Sequence, residues 1–122
     1  MEATFFETSS FSATVGDYLK DDEYRALQAE MLKNPKCGDV MQRTGGFRKL
    51  RWGDARRGKG KRGGLRVIYY WLSDEGQIWL FAIYDKDELE NLTPDQEKAL
   101  KAAIAAEIAA RKETKAKGEV KK

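Results

Sequence analysis

Two runs dominate the hydrophobic pattern of the chain. Leu65 to Leu72 (LRVIYYWL) and Gln77 to Tyr84 (QIWLFAIY) are dense in β-branched and aromatic residues, and turn residues bound them. Each predicts a strand. Between them stands Ser73-Asp74-Glu75-Gly76. A three-residue loop, Asp74-Glu75-Gly76 with Gly76 left-handed, closes these strands into a hairpin. In that register Ser73 faces Gln77 and, counting back, Arg66 faces Tyr84. A two-residue turn would slip the pairing by one and send Arg66 and Tyr84 to opposite faces. The three-residue loop is favoured.

The rest of the chain alternates more weakly. Thr4 to Phe11 (TFFETSSF) predicts a first strand, and Thr14 to Lys20 a short helix. Asp21 or Asp22 can cap a longer helix that runs to about Lys33. Its Tyr24, Leu27, Met31 and Leu32 fall on one apolar face, and Pro35 stops it. After Gly45-Gly46, Phe47 to Trp52 reads as a strand anchored by Phe47 and Trp52. Thr93-Pro94-Asp95-Gln96 is a helix start with a capping box. The stripe Leu100, Ile104 and Ile108 beyond it predicts a helix laid on a sheet. The order β-α-α-β-β-β-α predicts an α+β fold, a small antiparallel sheet with N-terminal helices and a C-terminal helix. Residues 1–110 form one expected domain, and 111–122 a charged tail, frayed or disordered.

Composition removes function classes. The 122 residues include no histidine and one cysteine, and 35% are charged. Without imidazole there is no Ser-His or Cys-His nucleophile pair and no His-ligated zinc. Acid–base work must fall to carboxylates, tyrosines, lysines or arginines. No apolar run reaches the ~18 residues of a membrane span, and Glu2 and Glu7 stand where a signal peptide would be basic. A lone cysteine suits a reducing cytoplasm. No cofactor and no metal are expected.

Charge is unevenly distributed. The net charge is +3, yet Arg48 to Arg66 carries nine cations against Asp54 alone, or +8 in nineteen residues, which leaves −5 on the rest. Such a basic block is the footprint of a nucleic-acid or phosphate binder. Gly58, Gly60, Gly63 and Gly64 interleave its cations, so backbone can approach a polyanion closely. Alternation along the strand is expected to turn Lys49 away from Arg48 and Arg51, so that only part of that trio faces an RNA.

The strings GGFRKLRW, GKGKRGGLRVIYYW and LFAIYDKDELENLTPDQ, with DDEYRALQAEMLKNPKCGDV upstream, carry a resemblance. Over roughly residues 2 to 108 the chain resembles RelE/ParE-superfamily toxins of type II toxin–antitoxin systems, in their HigB-like branch. The resemblance implies a RelE-like fold and a metal-independent endoribonuclease, an mRNA interferase that enters the ribosomal A site and inhibits translation. It also implies a cognate helix-turn-helix antitoxin, held with the toxin in a hetero-oligomer.

Matched position by position, Arg66 is the implied stabiliser of the transition state, since its fork can hold two phosphate oxygens. Tyr84 is implied to orient the 2′-OH or take part in proton transfer. Lys86 is assigned to phosphate contact or acid–base work, and Lys59 and Lys61 to the glycine-flanked catalytic loop. Arg48, Lys49, Arg51, Arg56, Arg57 and Arg62 are the implied RNA-binding set. Asp87 departs from a position where relatives often carry asparagine. Asp85 adds an anion next to Tyr84, and both are expected to weaken RNA affinity or hold Lys86 in place. Cys37 reads as a packed or loop thiol. The alternatives are a ParE-like gyrase inhibitor, which shares the fold, and a degenerate toxin that only binds its antitoxin.

Overall fold

The structure, a computed structural model, describes residues 2–53, 64–86 and 92–120, with the backbone alone for 111–120. The chain divides into two units, residues 1–41 with 47–91, and residues 42–46 with 92–122.

The first unit is built on a five-stranded sheet. Its strands are β1 (Thr4–Glu7), β2 (Asp39–Val40), β3 (Arg48–Trp52), β4 (Leu65–Leu72) and β5 (Gln77–Asp85), in the order β1-β5-β4-β3-β2. Every neighbouring pair is antiparallel except β1, which runs parallel to β5. The sheet is therefore mixed, where an antiparallel one was expected. Two helices follow β1 in the chain, α1 (Ser9–Tyr18) and α2 (Asp21–Lys33).

The expected strand to Phe11 stops at Glu7, and the helix expected from Thr14 starts at Ser9. Thr8 is the reason. Its Oγ1 accepts from the Phe11 amide at 3.1 Å as an N-cap and donates to the Phe81 carbonyl at 3.0 Å. The same residue thus starts the helix and ties it to β5. Phe11 consequently enters the core rather than the sheet. At α2 the cap falls one residue earlier than Asp21, on Lys20, whose amide donates to Glu23 Oε1 at 2.9 Å. Asp21, Asp22 and Glu23 then occupy the first turn, where the helix dipole favours anions.

One face of the sheet meets these helices. Leu65, Val67 and Tyr69 of β4 and Ile78, Leu80 and Ile83 of β5 form a single cluster with Phe11, Leu19, Leu27 and Met31. Tyr69 is fully buried without an unpaired hydroxyl: it accepts from the Gly38 amide at 2.9 Å and donates to the Pro35 carbonyl at 2.8 Å. Burial pushes its phenol pKa upward.

The second unit holds α3 (Pro94–Val120) and the segment 42–46. The predicted cap is present, with Thr93 Oγ1 accepting from the Gln96 amide at 3.1 Å and Gln96 Oε1 accepting from the Thr93 amide at 2.9 Å. Arg43, at a left-handed φ of 65°, donates from Nε to Glu97 Oε1 at 3.1 Å. Of the predicted stripe, Ile104 is buried and Leu100 and Ile108 are half-buried.

Candidate functional site

The hairpin decides which side chains share a face. Leu72 pairs with Gln77, so four residues separate the strands; Ser73 to Glu75 form a 3₁₀ turn and Gly76 closes it at φ 62°. This corrects the expected three-residue loop, although Gly76 is left-handed as predicted. From that turn alone, Arg66 would face Ile83. A β-bulge between Ile68 and Tyr69 on β4, opposite Phe81, shifts the register by one. Beyond it Val67 pairs with Ile83 and Arg66 with Tyr84. The predicted pair is therefore reached through a longer turn and a compensating bulge.

On β3, Arg51 pairs with Arg66, Lys49 with Ile68 and Arg48 with Tyr69. Directly opposed residues point to one side of a sheet. Arg51, Arg66 and Tyr84 thus form a transverse row across β3, β4 and β5, on the face opposite the α1–α2 core, and Lys49 stands on that face too. The expectation that Lys49 points away from Arg51 is corrected, because both are odd-numbered positions of one regular strand. Arg48 is the residue turned away. Its Nη1 donates to the carbonyls of Gly38 at 2.8 Å and Lys36 at 3.3 Å, tying the loop before β2 to β3.

Within the row, Arg66 is half-buried and its Nη1 donates to the Leu65 carbonyl at 3.1 Å. Arg51 is exposed. Among the described residues neither guanidinium has a carboxylate partner. Two like charges opposed on a sheet repel, so among the described residues this pair is left without a compensating anion. Tyr84 is 8% exposed, and its hydroxyl is buried with no hydrogen-bond partner among the described residues. Burial raises its pKa, and the positive charge of Arg66 opposes that rise only in part. At neutral pH the group is a phenol and keeps its proton.

Lys86 follows on the same register. Its amide donates to the Gly64 carbonyl at 3.0 Å, one step beyond the Leu65–Asp85 pair, and its side chain is half-buried. Asp85 is buried opposite Leu65, on the helix side of the sheet. The anion expected beside Tyr84 therefore lies on the other face. Lys59, Lys61, Arg56, Arg57, Arg62 and Asp87 lie outside the described residues. Cys37 is a half-buried loop thiol with its Sγ 3.7 Å from the Tyr69 hydroxyl.

Sequence reasoning missed the aromatic content of this face. Phe47, fully buried, meets Tyr70 and Phe81 edge-on at centroid distances of 5.3 and 4.6 Å, and Phe6 stacks on Trp79 at 4.7 Å. Strand parity was the available signal, since Arg66, Ile68, Tyr70 and Leu72 alternate with the core residues.

Among the described residues no group of histidine, cysteine and carboxylate side chains is clustered closely enough to hold a metal ion, and no helix is long and apolar enough to cross a membrane. No protein-family model matches the chain. Among solved structures it is similar to the E. coli toxin RelE in the free state, in a variant with two arginines changed to alanine. The TM-score is 0.53 at 13% identity, over 74% of this chain and 90% of that one. The three helices and five-stranded mixed sheet of the described residues, together with this match, give the chain a RelE-like α+β fold.

Proposed function

We propose that the chain is the toxin of a toxin–antitoxin pair, of the HigB-like branch, that cuts mRNA in the ribosomal A site. The observation that carries this reading is the row Arg51–Arg66–Tyr84: two adjacent guanidiniums without carboxylate partners, beside a buried neutral phenol with no hydrogen-bond partner, among the described residues. A scissile phosphate answers all three at once.

In the proposed reaction the ribose 2′-oxygen loses its proton, attacks the neighbouring phosphorus and expels the 5′-oxygen. The products are a 2′,3′-cyclic phosphate and a 5′-hydroxyl. Charge accumulates on the non-bridging oxygens, where the fork of Arg66 holds them and Arg51 adds field. Tyr84 donates from its hydroxyl to orient the ribose or to follow the developing charge, because its raised pKa keeps the proton on. Proton transfer falls to lysines: Lys86 at the strand end, and Lys59 and Lys61 of the glycine-rich loop. The step needs no metal ion. The basic set Lys49, Arg56, Arg57 and Arg62 would follow the RNA backbone on either side. A cytoplasmic setting, a helix-turn-helix antitoxin and a hetero-oligomeric complex with it complete the proposal.

The test is induction of the chain without its neighbouring gene, followed by primer extension on translating mRNA. New 5′ ends should arise with wild type and vanish with Arg66→Ala. A wild-type chain that produces none refutes the reading, and inhibition of gyrase supercoiling in its place would establish the ParE-like alternative.

A further inference from the structure

The face that carries Arg66 and Tyr84 continues toward the β4–β5 turn as an aromatic row. Phe6 of β1 pairs in register with Trp79 of β5, which pairs with Tyr70 of β4. The rings of Phe6 and Trp79 are nearly parallel, 12° apart with centroids separated by 4.7 Å. Trp79 Nε1 donates to Gln77 Oε1 at 3.0 Å, which fixes the indole orientation. Phe6, Tyr70 and Trp79 are half-buried and keep part of their surface open to solvent. None of the three belongs to the core cluster on the helix side or to the aromatics packed against it. Trp79 stands five residues from Tyr84 along β5, about 16 Å at strand rise.

We infer that the Phe6–Trp79 stack is a platform for unpaired RNA bases flanking the scissile phosphate; the inference rests on the proposed RNA-cutting site for its choice of ligand. Three features select this occupant. The rings share a face with Lys49, Arg51 and Arg66, so a flexible ligand can meet cations at one end of the face and π-surfaces at the other, passing the buried Ile68 between them. Single-stranded nucleic acid carries that complement, a polyanionic backbone with a flat base on each unit. The indole is held in place beforehand, so little side-chain entropy is lost on stacking.

The test uses the full-length chain and a labelled single-stranded oligoadenylate, read by fluorescence anisotropy. An abasic oligonucleotide of equal length is the control. Trp79→Leu and Phe6→Leu keep an apolar side chain at the sheet and remove the rings. Each should weaken oligoadenylate binding about tenfold, the order expected for loss of one stacking partner. The loss should persist at high salt, because stacking releases no counterions, whereas the loss from Arg51→Gln should shrink. Trp79→Phe and Phe6→Tyr should restore binding, which separates stacking from simple misfolding. The abasic chain should bind wild type and leucine variants alike. Equal binding of oligoadenylate by wild type and Trp79→Leu overturns the platform, as does an equal loss on the abasic chain. Cleavage of ribosome-bound mRNA is scored in parallel. Ring-dependent binding without cleavage would defeat the nuclease reading and leave the platform standing, and cleavage indifferent to both rings would do the reverse.

Discussion

Replacing Tyr84 by phenylalanine should make the protein more stable and much less active. The ring of Tyr84 is 8% exposed, so Phe fills its space with no cavity. What disappears is a buried hydroxyl with no hydrogen-bond partner among the described residues. Burying such a group unpaired costs on the order of 1–3 kcal/mol. Part of that is recovered by relaxation, so Tyr84→Phe should stabilise by about 1 kcal/mol. For a chain of this size the melting temperature should rise by roughly 3–5 °C. Thermal unfolding followed by circular dichroism at pH 7 measures it. Cleavage of ribosome-bound mRNA should fall about 100-fold in the same variant, the usual loss when one donor to a transition state is removed. Gain of stability with loss of activity is the signature of a group held unsatisfied for its function. A variant less stable than wild type by 1 kcal/mol would show that the hydroxyl is already satisfied. Undiminished cleavage would remove Tyr84 from the chemistry.

Other outcomes follow from the same geometry. The pKa values of Tyr24, Tyr69 and Tyr84 are all raised above 10.0, chiefly by burial. Above pH 10 the unfolded chain therefore loses phenolic protons that the folded chain keeps, so stability should be level up to about pH 10 and fall as pH rises further. Urea midpoints between pH 7 and pH 11 test the sign, and an unchanged midpoint at pH 11 would contradict it. Arg66→Lys should lower kcat about 100-fold with little change in KM, because a point charge cannot replace a two-pronged contact. Arg51→Gln should reduce the salt slope of RNA binding by about one, which a titration between 50 and 200 mM salt resolves. At Gly38 an added Cβ would lie 2.9 Å from Tyr69 Cε1 and 3.1 Å from the Lys49 backbone. Gly38→Ala should therefore cost about 1–3 kcal/mol in chemical denaturation.

Much of this was legible before any coordinates. The β4–β5 hairpin, α2 and the Thr93 cap all rest on local patterns of one element, and local patterns are what a sequence displays. Phe11 was misplaced because Thr8 reads equally well as a strand residue and as an N-cap. Its contact with the Phe81 carbonyl, 73 positions away, settles the choice. The extra turn residue and the bulge were both invisible, since each is one residue long and neither changes the hydrophobic pattern by itself. They cancel at Arg66, so the pair emerged correctly from a register wrong at the turn. Arg48 shows the opposite limit. In the basic block it is indistinguishable from Arg51, and only the carbonyls of Lys36 and Gly38 on the far face reveal its structural role.

The two faces of the sheet divide the physical work. The helix side carries the main cluster of buried aliphatic and aromatic side chains, along with Asp85 and the fully hydrogen-bonded Tyr69. The stability gained there lets the other face hold groups that folding alone would disfavour: opposed guanidiniums and a buried phenol with no hydrogen-bond partner among the described residues. In a protein with no histidine, the reference pKa values of the available tyrosine, lysine and arginine side chains all lie near 10 or above. Burial moves Tyr84 farther from neutrality still. For the proposed reaction, acid–base matching to pH 7 is then a poor source of rate, and positioned charge would have to supply most of it. A row fixed across three hydrogen-bonded strands can hold that charge in place before the proposed RNA arrives.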